Sequence, residues 1–168
     1  MVTVSLIIGA LIGIPLGILL VVTRKHGISP NVVIHQILNP IINILRSIPF
    51  IILLIAIVPF TKLVAGTSIG TTAAIVPLTV YVAQYIARLV ENTLLEVDDG
   101  IIEAAKAMGA SPLKINRNIL LPEALGSLVL AITTEIIGLI GSTAMAGAVG
   151  GGGIGDLALV YGYQRFDT

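Results

Sequence analysis

The sequence predicts an all-α membrane protein, one polytopic helical bundle with four spans. Three observations carry that expectation. Charged residues are 11% of the 168 residues and apolar ones 56%, whereas an average soluble domain is about 25% charged. Ten of the eighteen Asp, Glu, Lys and Arg residues fall between Arg88 and Glu123. What remains on either side is uncharged over lengths that read as bilayer-crossing helices. A chain of this size has room for one bundle and no separate soluble domain.

The first span is read at 2–22. Val2 to Val22 carries no charge, enough for about 31 Å of helix. It lacks the basic leader and small-residue cleavage site of a signal peptide, so it is retained. The second is read at 40–61. Its uncharged core, Ser47 to Thr61, holds Pro49 and Pro59 and is too short alone. It needs the Ile37–Leu45 segment or a bent, protein-buried path. The third is placed at 66–88, apolar from about Ile69. The fourth, 124–148, is interrupted by one charge, Glu135.

Lys and Arg placement sets the orientation. Arg24, Lys25, Arg46, Arg88, Lys106, Lys114 and Arg117 fall on one side, against Lys62 and Arg165 on the other. The loop 89–123 is therefore cytoplasmic and both chain ends lie outside. Met1 opens almost directly into hydrophobic sequence, and the expected form is a truncated product lacking a final span and part of the first. There is no cysteine, which excludes disulfides and thiolate metal sites. His26 and His35 share one loop without metal-site spacing, and no metal or cofactor is expected.

Inside the loop, Asp98 and Asp99 precede Gly100 and a run of helix formers, where the dipole and capping favour acids. Ile101, Ile102, Ala105 and Met108 fall on one face at helical spacing. Gly109 is placed to end the helix in a left-handed conformation. Ser111 and Pro112 then read as an N-cap and first-turn proline. Ile115, Ile119 and Leu120 give the second helix an apolar side, and Pro122 closes it. Helix, bend, helix also describes a DNA-binding motif, but six acids against four bases repel phosphate, so nucleic acid is excluded as a partner. From the residues alone, an interfacial helix pair that tiles the bilayer surface stands beside a docking element.

The stretch EAAKAMGASPLKINRNILLPEA, with its Glu103-Ala104-Ala105, Gly109, Ile115 and Leu121-Pro122, resembles the EAA loop of ABC-importer permeases. That resemblance implies a coupling element inserted into a groove of a cytoplasmic ATPase subunit. It assigns the role to Glu103, Ala104, Ala105, Met108, Gly109, Ala110, Pro112, Leu121 and Pro122. Small Ala104 and Ala105 would permit close approach, Glu103 would meet a basic partner, and Gly109 would allow the bend. Leu45-Arg46-Ser47-Ile48-Pro49-Phe50 and the tail AGAVGGGGIGDLALVYGYQRF are similar to methionine-type permeases. The resemblance covers most of Arg24 to Thr168. It implies a bacterial inner-membrane pathway subunit with no catalytic site, an extracytoplasmic substrate-binding protein, a permease homodimer and a fifth span beyond this chain. Another small amino acid or an osmolyte is the alternative solute.

The glycines Gly150 to Gly153 and Gly155 lack the Gly-Lys-Ser/Thr continuation of a phosphate loop; a tight outer turn is expected instead. Gly9, Gly13 and Gly17 form a close-packing ladder whose partner the spacing does not name. Glu135 lies near mid-depth, where a charge costs about 2.5–3.5 kcal/mol on insertion scales. It reads either as a proton-relaying group of a gradient-driven transporter or as a structural carboxyl bonded to Thr133, Thr134 or another helix. Met145, the bulky residue among small ones from Gly141 to Gly147, and Ser142 beside it complete the candidate pathway or gate positions.

Overall fold

The computed structural model describes residues 1–25, 27–147, 150–157, 161–162 and 164. Its elements are α1 (Val2–Thr23), α2 (Val32–Ser47), α3 (Phe50–Ala56), α4 (Val58–Ala65), α5 (Thr71–Leu95), α6 (Asp99–Ala107), α7 (Pro112–Ile115), a π-helical turn (Asn116–Leu120), α8 (Leu121–Glu123), α9 (Leu125–Ala146) and α10 (Ile154–Leu157). Three of these, α1, α5 and α9, are long and apolar enough to cross a bilayer unaided. The all-helical bundle matches the expected fold class.

α5 is the central post. In its most apolar stretch 61% of residues are buried, against 33% for α1 and 17% for α9. The main core runs down it through Ala74, Leu78, Val82, Ile86, Val90 and Leu94, joined by Val21, Phe50, Leu120 and Leu139. α1 lies along one side of this post because its glycine ladder lets the backbones meet. A Cβ added at Gly13 would stand 2.5 Å from the carbonyl oxygen of Ala83, and one at Gly17 2.5 Å from that of Ala87. Each glycine therefore removes bulk at a point of backbone contact, the usual role of small residues between membrane helices.

The segment read as one span over 40–61 is divided among α2, α3 and α4. α2 begins at Val32, where the Asn31 side chain accepts the Ile34 N–H at 3.2 Å. It ends at Ser47, and the axis turns by 108° into α3. Pro49 causes the break: it disfavours helix in the residue before it and has no N–H to continue the ladder. α2 meets α1 and α5 through Leu20, Ile42 and Ala87, and the His35 ring Nδ1 lies 3.2 Å from the Leu20 carbonyl. His26, Ala148 and Arg165 to Thr168 lie outside the described residues.

α5 continues to Leu95, past the expected boundary at 88. Arg88 and Glu91 sit one turn apart and pair with each other, and Arg88 also donates to the Asn39 side chain at 3.1 Å. Mutual neutralisation at i, i+3 keeps two charges inside a helix. At the opposite end, the glycine tract folds back on the bundle. Gly150, Gly152 and Gly153 take φ of 68°, 75° and 84°, which side-chain-bearing residues rarely adopt. Thr71 donates to the Gly151 carbonyl at 3.0 Å, and Gly155 touches the Ala144 backbone. The tract is a tight turn packed between the start of α5 and the end of α9.

Candidate functional site

Two places on the molecule bring the sequence-selected residues together: the polar loop and an open pocket against α5 and α9. In the loop, Asp98 caps α6 by accepting the Gly100 N–H at 2.7 Å. Gly109 ends α6 with a φ of 78°, and the Ala110 N–H returns to the Ala105 carbonyl at 3.1 Å. That closes the helix and turns the chain sharply, as expected of a left-handed glycine.

The two alanines face opposite ways. Ala105 is buried at 1% exposure, so its small size serves packing of α6 against its own chain. Ala104 and Glu103 face outward. Met108 is 80% and Leu113 75% exposed, and with Ala104 they leave apolar groups uncovered around the bend. Ala110 is half-buried and Pro112 exposed. Leu113 escaped the sequence reading; it lies one residue past the first-turn proline, on the side away from buried Ile115.

One local expectation is met in position only, and another is corrected. Ser111 stands at the N-cap of α7 but its hydroxyl makes no capping bond; its carbonyl takes the Ile115 N–H at 3.0 Å. Pro122 does not end the second helix. The path runs from α7 through the π-turn and α8 almost directly into α9, with Pro122 in the first turn of α8, where its missing N–H costs nothing. Buried Ile115 and Leu120 anchor this path to the bundle, while Leu121 is half-buried and Pro122 exposed. The loop is thus joined rigidly to α9. It is also tethered to α1: Arg24 faces Asp99 at 3.9 Å, and Arg24, Glu103 and Lys106 line a small cleft of about 140 Å³ between the end of α1 and α6.

The second site lies beneath the α2–α3 bend. A cavity of about 330 Å³ is bounded by Arg46, Phe50, Tyr81, Tyr85, Ser142 and Met145, among others. The Phe50 ring meets Tyr81 edge-on at 5.2 Å, and Tyr81 and Tyr85, one turn apart on α5, stand 4.7 Å apart. Ser142 is buried, its hydroxyl donating to the Gly138 carbonyl at 3.1 Å, and Met145 is half exposed. Here the charge count needs correction. Arg46 is not in a cytoplasmic loop; it closes α2 beside the middle turns of α5. The aromatic pair at i, i+4 and the arginine just before a proline break were the available signals for this cavity.

Glu135 does not line it. Its side chain is buried at 6% exposure, and Oε1 has no hydrogen-bond partner among the described residues. The expected partners are engaged elsewhere: Thr133 and Thr134 donate to the carbonyls of Val129 and Leu130 in their own helix.

A helical bundle long and apolar enough to cross a membrane, carrying a helix–bend–helix with an apolar tip and an open pocket, has the parts of a transport pathway. The family of binding-protein-dependent transport system inner membrane components matches residues 13–167. The chain belongs to that family, and it is therefore a multi-pass inner-membrane permease component. Among curated relatives it is 50% identical over 167 residues to the probable D-methionine transport system permease protein MetI of Vibrio cholerae, covering 99% of this chain and 74% of that one. It is 55% identical over 144 residues to the D-methionine transport system permease protein MetI of Escherichia coli K12, covering 86% and 66%. Among solved structures it resembles a chain of the inward-facing MetNI methionine ABC transporter with a TM-score of 0.95 and 53% identity, covering 99% of this chain and 77% of that one.

Proposed function

We propose that this chain is the pathway subunit of an ATP-driven importer for methionine. Two copies enclose the pathway, a cytoplasmic ATPase pair supplies the energy, and an extracytoplasmic binding protein delivers the solute. The observation that carries the reading is the likeness to methionine permeases at 50% identity over 99% of the chain, which runs through both the loop and the α2–α3 bend. The chain itself contributes no catalytic group or cofactor in this scheme; ATP is hydrolysed by the partner.

The loop geometry gives the coupling a physical form. Ala104, Met108 and Leu113 seat in a groove of the ATPase, Glu103 meets a basic group there, and Gly109 holds the bend. Because α7, the π-turn and α8 feed directly into α9, a push on the tip moves α9 as a body. Packed elements transmit such displacements because they shift between discrete arrangements instead of yielding gradually. Met145 and Ser142, on the cavity side of α9, move with it and gate the path. Glu135, the one feature that suggested gradient-driven transport, is a structural carboxyl.

The test is uptake of labelled methionine by vesicles containing the full-length permease, its ATPase and the binding protein. Uptake should require internal ATP and the binding protein. Accumulation that follows a proton gradient without ATP, or ATP hydrolysis stimulated by other amino acids but not methionine, would sink the reading.

A further inference from the structure

We propose that the cavity beneath the α2–α3 bend is a solute subsite in which Arg46 holds the carboxylate of a zwitterionic amino acid, with the solute's unbranched apolar side chain against Phe50 and Met145. The proposal rests on the importer reading above and adds the residues that meet the solute.

Depth is the first observation. α5 runs from Thr71 to Leu95, and Tyr81 and Tyr85 occupy its middle turns, each at least about 15 Å from either end. Arg46 lines the same pocket as these two rings, near their level along α5, and stands exposed at its open side. A charge at that depth faces the protein interior or a watered cavity and marks a functional position by default.

Charge balance is the second. Arg88, lower on α5, is neutralised by Glu91 and bonded to Asn39. Arg46 has no ion-pair or hydrogen-bond partner among the described residues. The two arginines differ in what the described residues supply: Arg88 has a resident carboxylate there, and Arg46 has none. Glu135, the acid on α9 nearest mid-helix, is not among the cavity's lining residues. A guanidinium fork matches a carboxylate in two parallel hydrogen bonds, so an arriving carboxylate completes the site, whereas a cationic solute would be repelled.

Shape and lining complete it. A volume of about 330 Å³ lies at the small end of ligand pockets, which begin at roughly 300 Å³, and suits one amino acid better than a peptide. Aromatic faces attract an ammonium group, and Tyr81 and Tyr85 supply two of them beside Arg46. Phe50 and the flexible Met145 thioether accommodate an unbranched apolar or thioether chain without demanding one shape.

The experiment uses full-length permease assembled with its ATPase in nanodiscs and measures binding of labelled methionine, methioninamide and norleucine. Wild-type protein should bind methionine and norleucine within a few-fold of each other and methioninamide about tenfold more weakly, the loss expected for one charge-assisted contact. Arg46→Gln should weaken methionine about tenfold and bring methionine and methioninamide to the same affinity. Arg46→Lys should keep a reduced preference for the carboxylate, which also covers the case in which the glutamine variant fails to assemble. Equal methionine affinity in wild type and Arg46→Gln overturns the subsite. So does equal weakening of methionine and methioninamide, which would mark Arg46 as structural. An Arg46→Lys variant indifferent to the carboxylate counts against it as well. ATP-dependent methionine uptake in the same preparation keeps the two readings apart: its absence in wild type defeats the importer reading, while uptake with Arg46-independent binding defeats only the subsite.

Discussion

The α1–α5 seam and the outer wall of α9 use the same kind of residue to opposite ends. On α1, Gly9, Gly13 and Gly17 are buried, and added Cβ atoms there would collide with the side chains and backbone of α5. On α9, Gly126 and Gly141 have nothing within 4 Å of where a Cβ would stand, and Leu130, Ile137 and Ile140 are exposed. Small residues let membrane helices approach, but spacing does not say whether the approach has been made. The α1 ladder is used up inside the chain. The α9 surface is left open, and the proposed second permease would pack there.

The sharpest way to break that contrast is to load both helices with the same bulk. Gly13→Leu should have the largest effect. Its Cβ would meet the Ala83 carbonyl at 2.5 Å, and backbone cannot rotate away as a side chain can. Overpacking commonly costs about 1–3 kcal/mol, and a backbone obstacle lies at the upper end, so little folded protein should be recovered from membranes. Gly141→Leu should leave the thermal midpoint of the single chain nearly unchanged while lowering the dimer fraction and uptake. Equal loss of folded chain in the two variants would erase the distinction between a filled and an open ladder.

The loop offers the next test, because Gly109 is constrained by its backbone and not by neighbours. Its φ of 78° is left-handed, yet nothing lies within 4 Å of an added Cβ. Gly109→Leu should therefore cost about 1–2 kcal/mol of local strain without unpacking the core. Membrane levels should persist while ATPase association and uptake fall steeply. Met108→Ala, which strips an 80% exposed side chain without strain, should weaken association more mildly and leave stability untouched. Pull-down of the ATPase, alongside uptake, reads both. Normal association in the two variants would move the docking surface elsewhere.

The fold class and the loop were legible because each rests on local pattern. Uncharged runs mark α1 and α9, and Asp98, Gly109 and Pro112 carry the capping and bend chemistry of α6 and α7 in their own side chains. The misread parts depend on partners distant in sequence. Arg46 was counted as a cytoplasmic loop charge because a basic residue usually marks a membrane rim; only the packing of α2 against α5 places it beside Tyr81 and Tyr85. α5 was cut short at Arg88 because the charge looked like a boundary, whereas Glu91 neutralises it and Asn39 accepts its hydrogen bond within the bundle. Pro49 announced a break but not its 108° angle, which is set by the helices α3 packs against. Pro122 looked like a stop and proved compatible with a helix restarting at that position.

The smallest expected effect belongs to Glu135, and it separates the two ways a buried acid can persist in a membrane helix. Glu135 sits on the face of α9 that packs inward, with Leu139 and Ser142 also buried along it. Its Oε1 has no partner among the described residues, and Thr133 and Thr134 bond to their own helix. Glu135→Gln retains the size and hydrogen-bonding capacity and removes the chance of a charge. Because a central charge costs about 2.5–3.5 kcal/mol on insertion scales, its removal should leave stability unchanged or slightly higher. Uptake should continue at a rate near wild type and should still require ATP and the binding protein. The measurement is uptake in vesicles with internal ATP and the proton gradient varied independently, alongside a thermal melt. If uptake in the variant collapses while its melt is unchanged, Glu135 acts on the moving proton or solute. The pathway lining would then extend from Ser142 along the inward face of α9 to Glu135.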